Sequence, residues 1–312
     1  LRAAGLVQLL LYLLIVLMVY RLVREVADET TGLIAAALWV LYLPALTVLP
    51  QIAGDMVATL AVTTGLYFYV KAWKAGGSLR WGLAGACMAL AVLSRSAMLV
   101  SAVPLGIAAV WHAWRSGRRR FSLVRPVLAF SLAWCLVMLP WVVRNTRVFG
   151  QVVVGSTLTG YNMLRHNHQL EDDVPFHYVN EDEARPVAYA ALARHPELTG
   201  RENEAQVDRV YKEEGMNVVN AHKLRYAQIC AFRFLPLWFN WGVNTAYGKP
   251  TGPMDYLVAF QQAVLLLLAF AGLRRAPRLA WPLVLGAVVV CLAYLAVVAR
   301  LRYVVPIIPV VL

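Results

Sequence analysis

Apolar residues in this chain form long runs, and short polar stretches separate them. Runs of this kind are typical of α-helices that cross a bilayer, because lipid accepts apolar side chains on every face of a helix. The pattern therefore predicts membrane-spanning helices at these approximate positions: Gly5–Tyr20, Thr31–Val48, Met56–Val70, Trp81–Leu93, Met98–Trp114, Val127–Val143, Leu257–Leu273 and Ala280–Val298, with a ninth beginning at Val304.

One long polar region interrupts this pattern. We predict three parts: six transmembrane helices over 1–143, an exterior polar and helical region over 144–252, and two or three C-terminal transmembrane helices over 253–312. Within the polar region, 165–186 is expected to be loop. Apolar residues at helical spacing predict helices between Glu183 and Phe234. The fold class is thus an all-α polytopic membrane protein with about eight or nine spans.

Composition and charge support a membrane protein. The chain is 60% hydrophobic with a mean hydropathy of +0.61, which exceeds what the interior of a soluble domain holds. The net charge of +12 does not indicate a nucleic-acid partner, because 12 of the 17 acids fall between Glu171 and Glu214 while the bases separate apolar runs. These basic connectors predict contact with membrane lipids. They are Arg21–Arg24, Lys71–Arg80, Arg115–Arg125 and Arg274–Arg278.

The connectors also predict an orientation. Basic connectors face the cytoplasm, and alternating spans place all four of them on that side. The large polar region then lies on the exterior face of a membrane that we expect to be the bacterial plasma membrane.

Asp55 and Arg95 lie between apolar runs with no long connector. An ionisable side chain at that depth costs free energy, so each is expected to be paired or to face a polar cavity. Asp55 has two compatible interpretations, a helix cap ahead of Met56 or a functional acid. Arg95 either reaches lipid headgroups or binds a phosphate, whose oxygens match the paired donors of a guanidinium.

Further polar residues at the predicted exterior ends of the spans are candidates for binding a phosphate or a sugar. His166 and His168 enclose Asn167, but this three-residue string is a very weak nuclease signature, and a surface loop is the simpler interpretation. No third metal ligand is evident, so no metal site is predicted and a divalent cation stays open as a cofactor. The candidate binding residues are Arg95, Arg144, Asn145, Tyr161, Asn162, His166, His168, Arg302 and Tyr303.

Several motifs resemble the GT-C superfamily of glycosyltransferases, in its branch of protein O-mannosyltransferase-like and aminoarabinose-transferase-like enzymes. PWVVRNTRVFG followed by STLTGYNMLRHNH is similar to the segment where a span of that family ends in PW-x-x-RN-x-x-x-FG. LPQIAGDMVATLAV, GACMALAVLSRSAMLVSAVPL and RLRYVVPIIPVVL resemble three more of its segments. Leu158 and Thr159 replace an Asn-Gly pair of the family pattern.

The resemblance implies a GT-C-like bundle and a polyprenyl-phosphate-linked sugar donor. It also implies sugar transfer to a hydroxyl of an unidentified acceptor, with Asp55 as a supporting acid. The main catalytic acid of the family lies in an exterior loop ahead of the span that starts here at Gly5. We therefore expect the chain to begin part-way into a longer protein.

Two alternatives remain at this stage. Charges within a membrane bundle also suit a transporter or flippase of a lipid-linked or anionic substrate. However, the chain shows no internal repeat, and its large exterior region makes the two halves unlike. An O-antigen-ligase-like transferase shares the large late exterior loop.

Overall fold

A computed structural model describes residues 2–51, 53–115, 120–172, 175–239 and 253–312. The described chain is helical and contains no strand. Its helices are α1 Arg2–Val26, α2 Glu29–Val40, α3 Leu43–Val48, α4 Asp55–Ala75, α5 Ser78–Ser94, α6 Ala102–Arg115, α7 Arg120–Phe149, α8 Thr159–Asn167, α9 Glu181–Ala193, α10 Glu204–Ala221, α11 Lys223–Phe232, α12 Phe234–Phe239, α13 Pro253–Leu273, α14 Trp281–Val297 and α15 Ile308–Val311.

These helices confirm an all-α polytopic membrane protein. Among the described residues, three helical segments are long and apolar enough to cross a bilayer: Ala3–Val26, Val124–Phe149 and Pro253–Leu273. Shorter apolar helices lie at or near five of the other predicted spans, and the 21-residue helix α4 covers the span predicted over Met56–Val70. Part of the basic connector, 116–119, and the end of the polar region, 240–252, lie outside the described residues.

The chain forms two compact units. The first contains 1–140, 260–292 and 302–312, and the second contains 141–259 and 293–301. In the first unit, α1 packs on α2 and α4, and α4 packs on α5. One face of α1 buries Ile15 and Val19, whereas Leu6 and Leu10 on other faces are more than half exposed. Exposed leucines on a helix of this length indicate a lipid-facing surface.

The second predicted span is not one helix. It breaks at Leu41 and Tyr42, between α2 and α3, because Pro44 has no N–H to donate to the Val40 carbonyl and instead occupies the first turn of α3, where proline is tolerated. Gln261 of α13 satisfies the backbone at the break. Its side chain accepts from the Leu43 N–H (3.0 Å) and donates to the Leu41 carbonyl (2.7 Å). A broken helix in a membrane requires such partners.

The second unit is built from α8 to α12. Its apolar core contains Leu170, Val218, Val219 and Ile229. Helix α8 approaches α10 closely at Gly160, where a Cβ would lie 1.9 Å from the Asp208 carbonyl oxygen. The predicted loop over 165–186 is partly wrong, because α8 continues to Asn167 and α9 starts at Glu181. The missed start has a local cause, since Asn180 caps α9 through its side chain.

Candidate active site

Asp55 and Arg95 form a buried ion pair in the first unit. Asp55 is the first residue of α4, and Arg95 directly follows α5 in an extended conformation. The side chain of Asp55 is fully buried and that of Arg95 is 15% exposed. A guanidinium Nη2 donates to Asp55 Oδ1. The expectation that Asp55 is paired is therefore met by a residue 40 positions away.

Gly54 allows these two helix ends to meet. A Cβ built at Gly54 would lie 2.9 Å from the backbone oxygen of Ser94, a separation that real Cβ atoms essentially never show. A side chain at position 54 would therefore push the end of α5 away from the start of α4. The glycine thus positions Arg95 beside Asp55.

The helix-cap interpretation of Asp55 is only partly met. The N-cap position of α4 belongs to Gly54, and no side chain caps the helix there. Asp55 lies in the first turn, where the helix dipole stabilises a negative charge. Its Oδ1 atom binds Arg95, and its buried Oδ2 atom has no hydrogen-bond partner in the described part of the chain.

Tyr303 contacts both Arg95 and a second arginine, Arg302. The Arg95 guanidinium carbon lies 4.7 Å from the centre of the Tyr303 ring, and that of Arg302 lies 5.5 Å from it. Both distances suit cation–π contacts. Arg302 and Tyr303 are half-buried, and Arg302 Nε is buried without a hydrogen-bond partner among the described residues. The first unit thus brings together four of the predicted site residues: Asp55, Arg95, Arg302 and Tyr303.

This arrangement has a definite chemical capacity. Arg95 and Arg302 place two guanidinium groups against one aromatic ring. The buried carboxylate oxygen also keeps room for one further donor. The cluster can therefore bind an anion through its arginines and a hydroxyl through Asp55.

The remaining candidates lie in the second unit, beginning at the end of α7. Arg144 is exposed, stacks on Trp141 at 5.3 Å and donates to Asn145 Oδ1 at 2.8 Å. Asn145 is buried and donates to the Val153 carbonyl at 3.2 Å. It therefore fixes the loop after α7, while Arg144 stays accessible.

Tyr161 and Asn162 start α8 and are both half-buried. The Tyr161 hydroxyl donates to Glu181 Oε1 at 2.6 Å, and Arg165 Nη1 donates to the other oxygen of Glu181 at 2.6 Å. Burial, together with the hydrogen bond to Glu181, raises the pKa of Tyr161 to about 12. Tyr161 therefore stays protonated at neutral pH and acts as a hydrogen-bond donor.

His166 and His168 differ in their surroundings. His166 is buried beside Tyr178, with ring centres 5.0 Å apart. Burial first, and then the neighbouring guanidinium of Arg233, hold the pKa of His166 well below its usual range. His168 is half-buried, and its Nδ1 atom lies 2.8 Å from the Arg165 carbonyl oxygen. His166 lies in α8 and in the interior, and His168 begins a short 3-10 helix, so the predicted surface loop is wrong for both.

Arg233 is a buried cation that the sequence analysis missed. It is 5% exposed and donates to the carbonyl oxygens of His166 (2.7 Å), Leu295 (3.1 Å) and Ala296 (3.1 Å), and to Asn167 Oδ1 (3.0 Å). Burial lowers its pKa to about 10. It lies between Phe232 and Phe234, where aromatic neighbours suggested a membrane surface rather than a buried cation. Gly54 was missed too, although its place directly before Asp55 was a usable signal.

The described residues contain no group of three His, Cys, Asp or Glu side chains that could hold a metal ion. The rings of His168, His177 and His195 instead have local partners. His177 Nε2, for example, lies 2.6 Å from Glu183 Oε1. The predicted site residues thus fall into a charged cluster in the first unit and a hydrogen-bonded set in the second.

Residues 1–142 match the family model of the dolichyl-phosphate-mannose-protein mannosyltransferases, which are of the GT-C type. The match contains Asp55 and Arg95, and it confirms the predicted resemblance to GT-C glycosyltransferases. It supports a membrane glycosyltransferase in general terms. No curated protein and no solved structure matches the chain.

Proposed function

We propose that the protein transfers a sugar from a polyprenyl-phosphate-linked donor to an acceptor hydroxyl on the exterior face of the membrane. The observation that carries this proposal is the buried Asp55–Arg95 pair, in which one carboxylate oxygen keeps its full capacity to accept a hydrogen bond. A buried charge with unused capacity is costly to maintain for structure alone. Asp55, Arg95, Arg302 and Tyr303 would form the core of the site.

The arginines suit the donor. A polyprenyl phosphate cannot leave the bilayer, so its phosphate stays near the ends of membrane helices. Arg95 and Arg302 lie at such ends, and both contact the Tyr303 ring. During transfer, the acceptor oxygen bonds to the anomeric carbon while the bond from that carbon to the phosphate oxygen breaks. The departing phosphate gains negative charge, which the guanidinium groups stabilise.

Asp55 has a supporting role in this scheme. Its Oδ1 atom holds Arg95, and its Oδ2 atom is available to accept a hydrogen bond from a hydroxyl of the bound sugar. Because Asp55 is fully buried and paired, we do not assign it the proton of the acceptor hydroxyl. We assign that proton to a separate carboxylate base, as the family resemblance implies.

Taken by itself, the second unit offers polar groups for which we propose a role in binding a sugar or an acceptor. Tyr161 and Asn162 are half-buried polar residues at the start of α8, and Arg144 and His168 are also accessible. Asn145 and His166 are buried, so we propose that they position these neighbours rather than touch the ligand.

Transfer of a labelled sugar tests the proposal. The protein is reconstituted in vesicles with a polyprenyl-phosphate sugar and a mixture of candidate acceptors. Arg95→Ala and Arg302→Ala should each lower the transfer rate by about 100-fold, as expected when a group that stabilises transition-state charge is removed. The matched control is Arg275→Ala, which replaces an exposed arginine after α13 and should leave transfer unchanged.

Two outcomes would contradict the proposal. One is full transfer by both variants at wild-type folded yield. The other is movement of the labelled lipid across the bilayer with no sugar transferred, which would indicate the transporter alternative.

A further inference from the structure

A large apolar groove opens in the first unit, away from the Asp55 pair. Its volume is about 920 Å³, and it lies between α6 and α14 with Trp73 of α4 at one side. Trp73 is 18 positions beyond Asp55 on the same helix. At a rise of about 1.5 Å per residue, the two lie about 27 Å apart along α4, close to the ~30 Å hydrocarbon thickness of a bilayer. The end of the groove at Trp73 therefore lies in the opposite leaflet, and the groove extends from there toward Val100.

The length of the groove fits one leaflet. On α6 its lining extends from Val103 to Trp111, and on α14 from Trp281 to Val289. Each stretch is nine residues, or about 12 Å of helix between its ends, against roughly 15 Å of hydrocarbon in one leaflet. Ile107, halfway along α6, is 65% exposed. An acyl chain that lies along these helices would cover this apolar surface.

The side chains at the Trp73 end of the groove suit the headgroup of a lipid. Trp73, Trp111 and Trp281 all line it at that end, where tryptophan rings favour the boundary between lipid and water. Arg278 also lies there and is the one charged residue among the described residues that line the groove. The salt bridges within the described part of the chain do not include Arg278, so its charge is available to an anion.

We propose that this groove binds an anionic glycerophospholipid of the leaflet that faces the basic connectors. The acyl chains lie between α6 and α14, and the phosphate contacts Arg278 at the tryptophan-lined end. The positive charge of Arg278 selects an anionic headgroup over a zwitterionic one. This site is separate from the proposed donor site and does not depend on its chemistry.

Native mass spectrometry of the detergent-solubilised protein tests the proposal, with phosphatidylglycerol and phosphatidylcholine of equal chain length as probes. The wild type should retain phosphatidylglycerol about five-fold better, the effect of one basic side chain near a charged headgroup. Arg278→Gln should remove this preference and leave phosphatidylcholine binding as it was. Ile107→Trp should fill the groove and weaken the binding of both lipids.

Matched variants control for the two changes. Arg275→Gln removes a neighbouring exposed arginine outside the groove, and Ile34→Trp adds the same bulk to an exposed position of α2. Both should bind lipid as the wild type does. Equal retention of the two lipids by the wild type would overturn the proposal. So would unchanged phosphatidylglycerol preference in Arg278→Gln, or unchanged binding in Ile107→Trp.

Discussion

Arg95 in the first unit and Arg233 in the second differ in the groups that surround them. Arg95 faces a carboxylate that retains an oxygen without a partner. Arg233 faces four oxygens from carbonyl and amide groups and forms no salt bridge within the described part of the chain. Its bonds tie α8 to residues 295 and 296, so it stabilises the second unit.

This difference distinguishes a candidate ligand site at Arg95 from a structural role for Arg233. Buried polar groups in folded proteins are nearly always satisfied, and Arg233 follows this rule. The carboxylate of Asp55 departs from it at Oδ2, and such departures are concentrated where a ligand completes the bonding. Changes to Arg95 should therefore affect chemistry and stability together, whereas changes to Arg233 should affect stability alone.

Arg95→Gln is expected to have the largest effect. Removing one partner leaves a buried carboxylate unpaired, which should lower the free energy of unfolding by about 3–5 kcal/mol. Thermal unfolding in detergent, followed by intrinsic fluorescence, measures this loss. Adding Asp55→Asn to the same protein should restore most of it. An unchanged unfolding temperature in Arg95→Gln would show that the pair carries no such energy.

Arg233→Met should destabilise the second unit by about 3 kcal/mol, because it leaves buried oxygens without a donor. Hydrogen exchange should accelerate in α8 and near residues 295 and 296. Transfer activity should fall only in proportion to the folded fraction. A specific loss of catalytic rate in fully folded Arg233→Met protein would place Arg233 in the site and break the distinction between the two arginines.

Gly54→Ala should cost about 2 kcal/mol, the usual scale for forcing extra bulk into a packed contact. The new methyl meets the Ser94 carbonyl, so α5 must move and carry Arg95 away from Asp55. Transfer should slow more than the folded fraction explains. Gly5→Ala is the matched control, since a Cβ there meets no atom within 4 Å. Equal activity in the two variants would remove Gly54 from the positioning role.

His166 should make the second unit sensitive to acid. The pKa of His166 is lowered in the folded protein. Below about pH 6.5 its ring is therefore protonated in the unfolded chain, whereas it stays neutral in the folded chain. Stability therefore falls as pH decreases from about 6.5, and His166→Gln should reduce this fall. Thermal unfolding at pH 7.5 and 5.5 measures it.

His195 is a control for His166, because its pKa is shifted in the opposite direction. Hydrogen bonds to Glu197 and then Glu214 raise its pKa, so its contribution is present below about pH 6.5 and is lost as pH rises through the raised value. His195→Gln should therefore increase the acid sensitivity. If both variants shifted the same way, the assignment of a neutral His166 would be wrong.

Much of the membrane pattern could be predicted from the sequence. Lipid requires continuous apolar helices, and each predicted span coincides with one helix or with a closely spaced pair. The break at Leu41 could not be placed, because the amide that satisfies it comes from Gln261, 220 positions away. The start of α9 at Glu181 was missed because its acidic first turn looks like polar loop without the Asn180 cap.

The sequence indicated which charged residues belong to the candidate site, but it did not indicate which of them pair with each other. Asp55 and Arg95 each stood out as a charge between apolar runs, and the physical cost of burial predicted a partner for each. The identity of that partner depends on the contact of Gly54 with Ser94, which is a property of packing. Arg233 could not be recognised because carbonyl oxygens, which have no sequence signature, provide its partners.

Sugar transfer by the double variant Asp55→Asn/Arg95→Gln tests the central claim most directly. The two amides can still hydrogen-bond, so the protein should unfold near the wild-type temperature. We predict that transfer from a polyprenyl-phosphate sugar nevertheless falls by about 100-fold, because one of the two guanidinium groups that stabilise the departing phosphate is gone. Wild-type transfer by this folded, neutral pair would contradict the account and make the pair a structural feature.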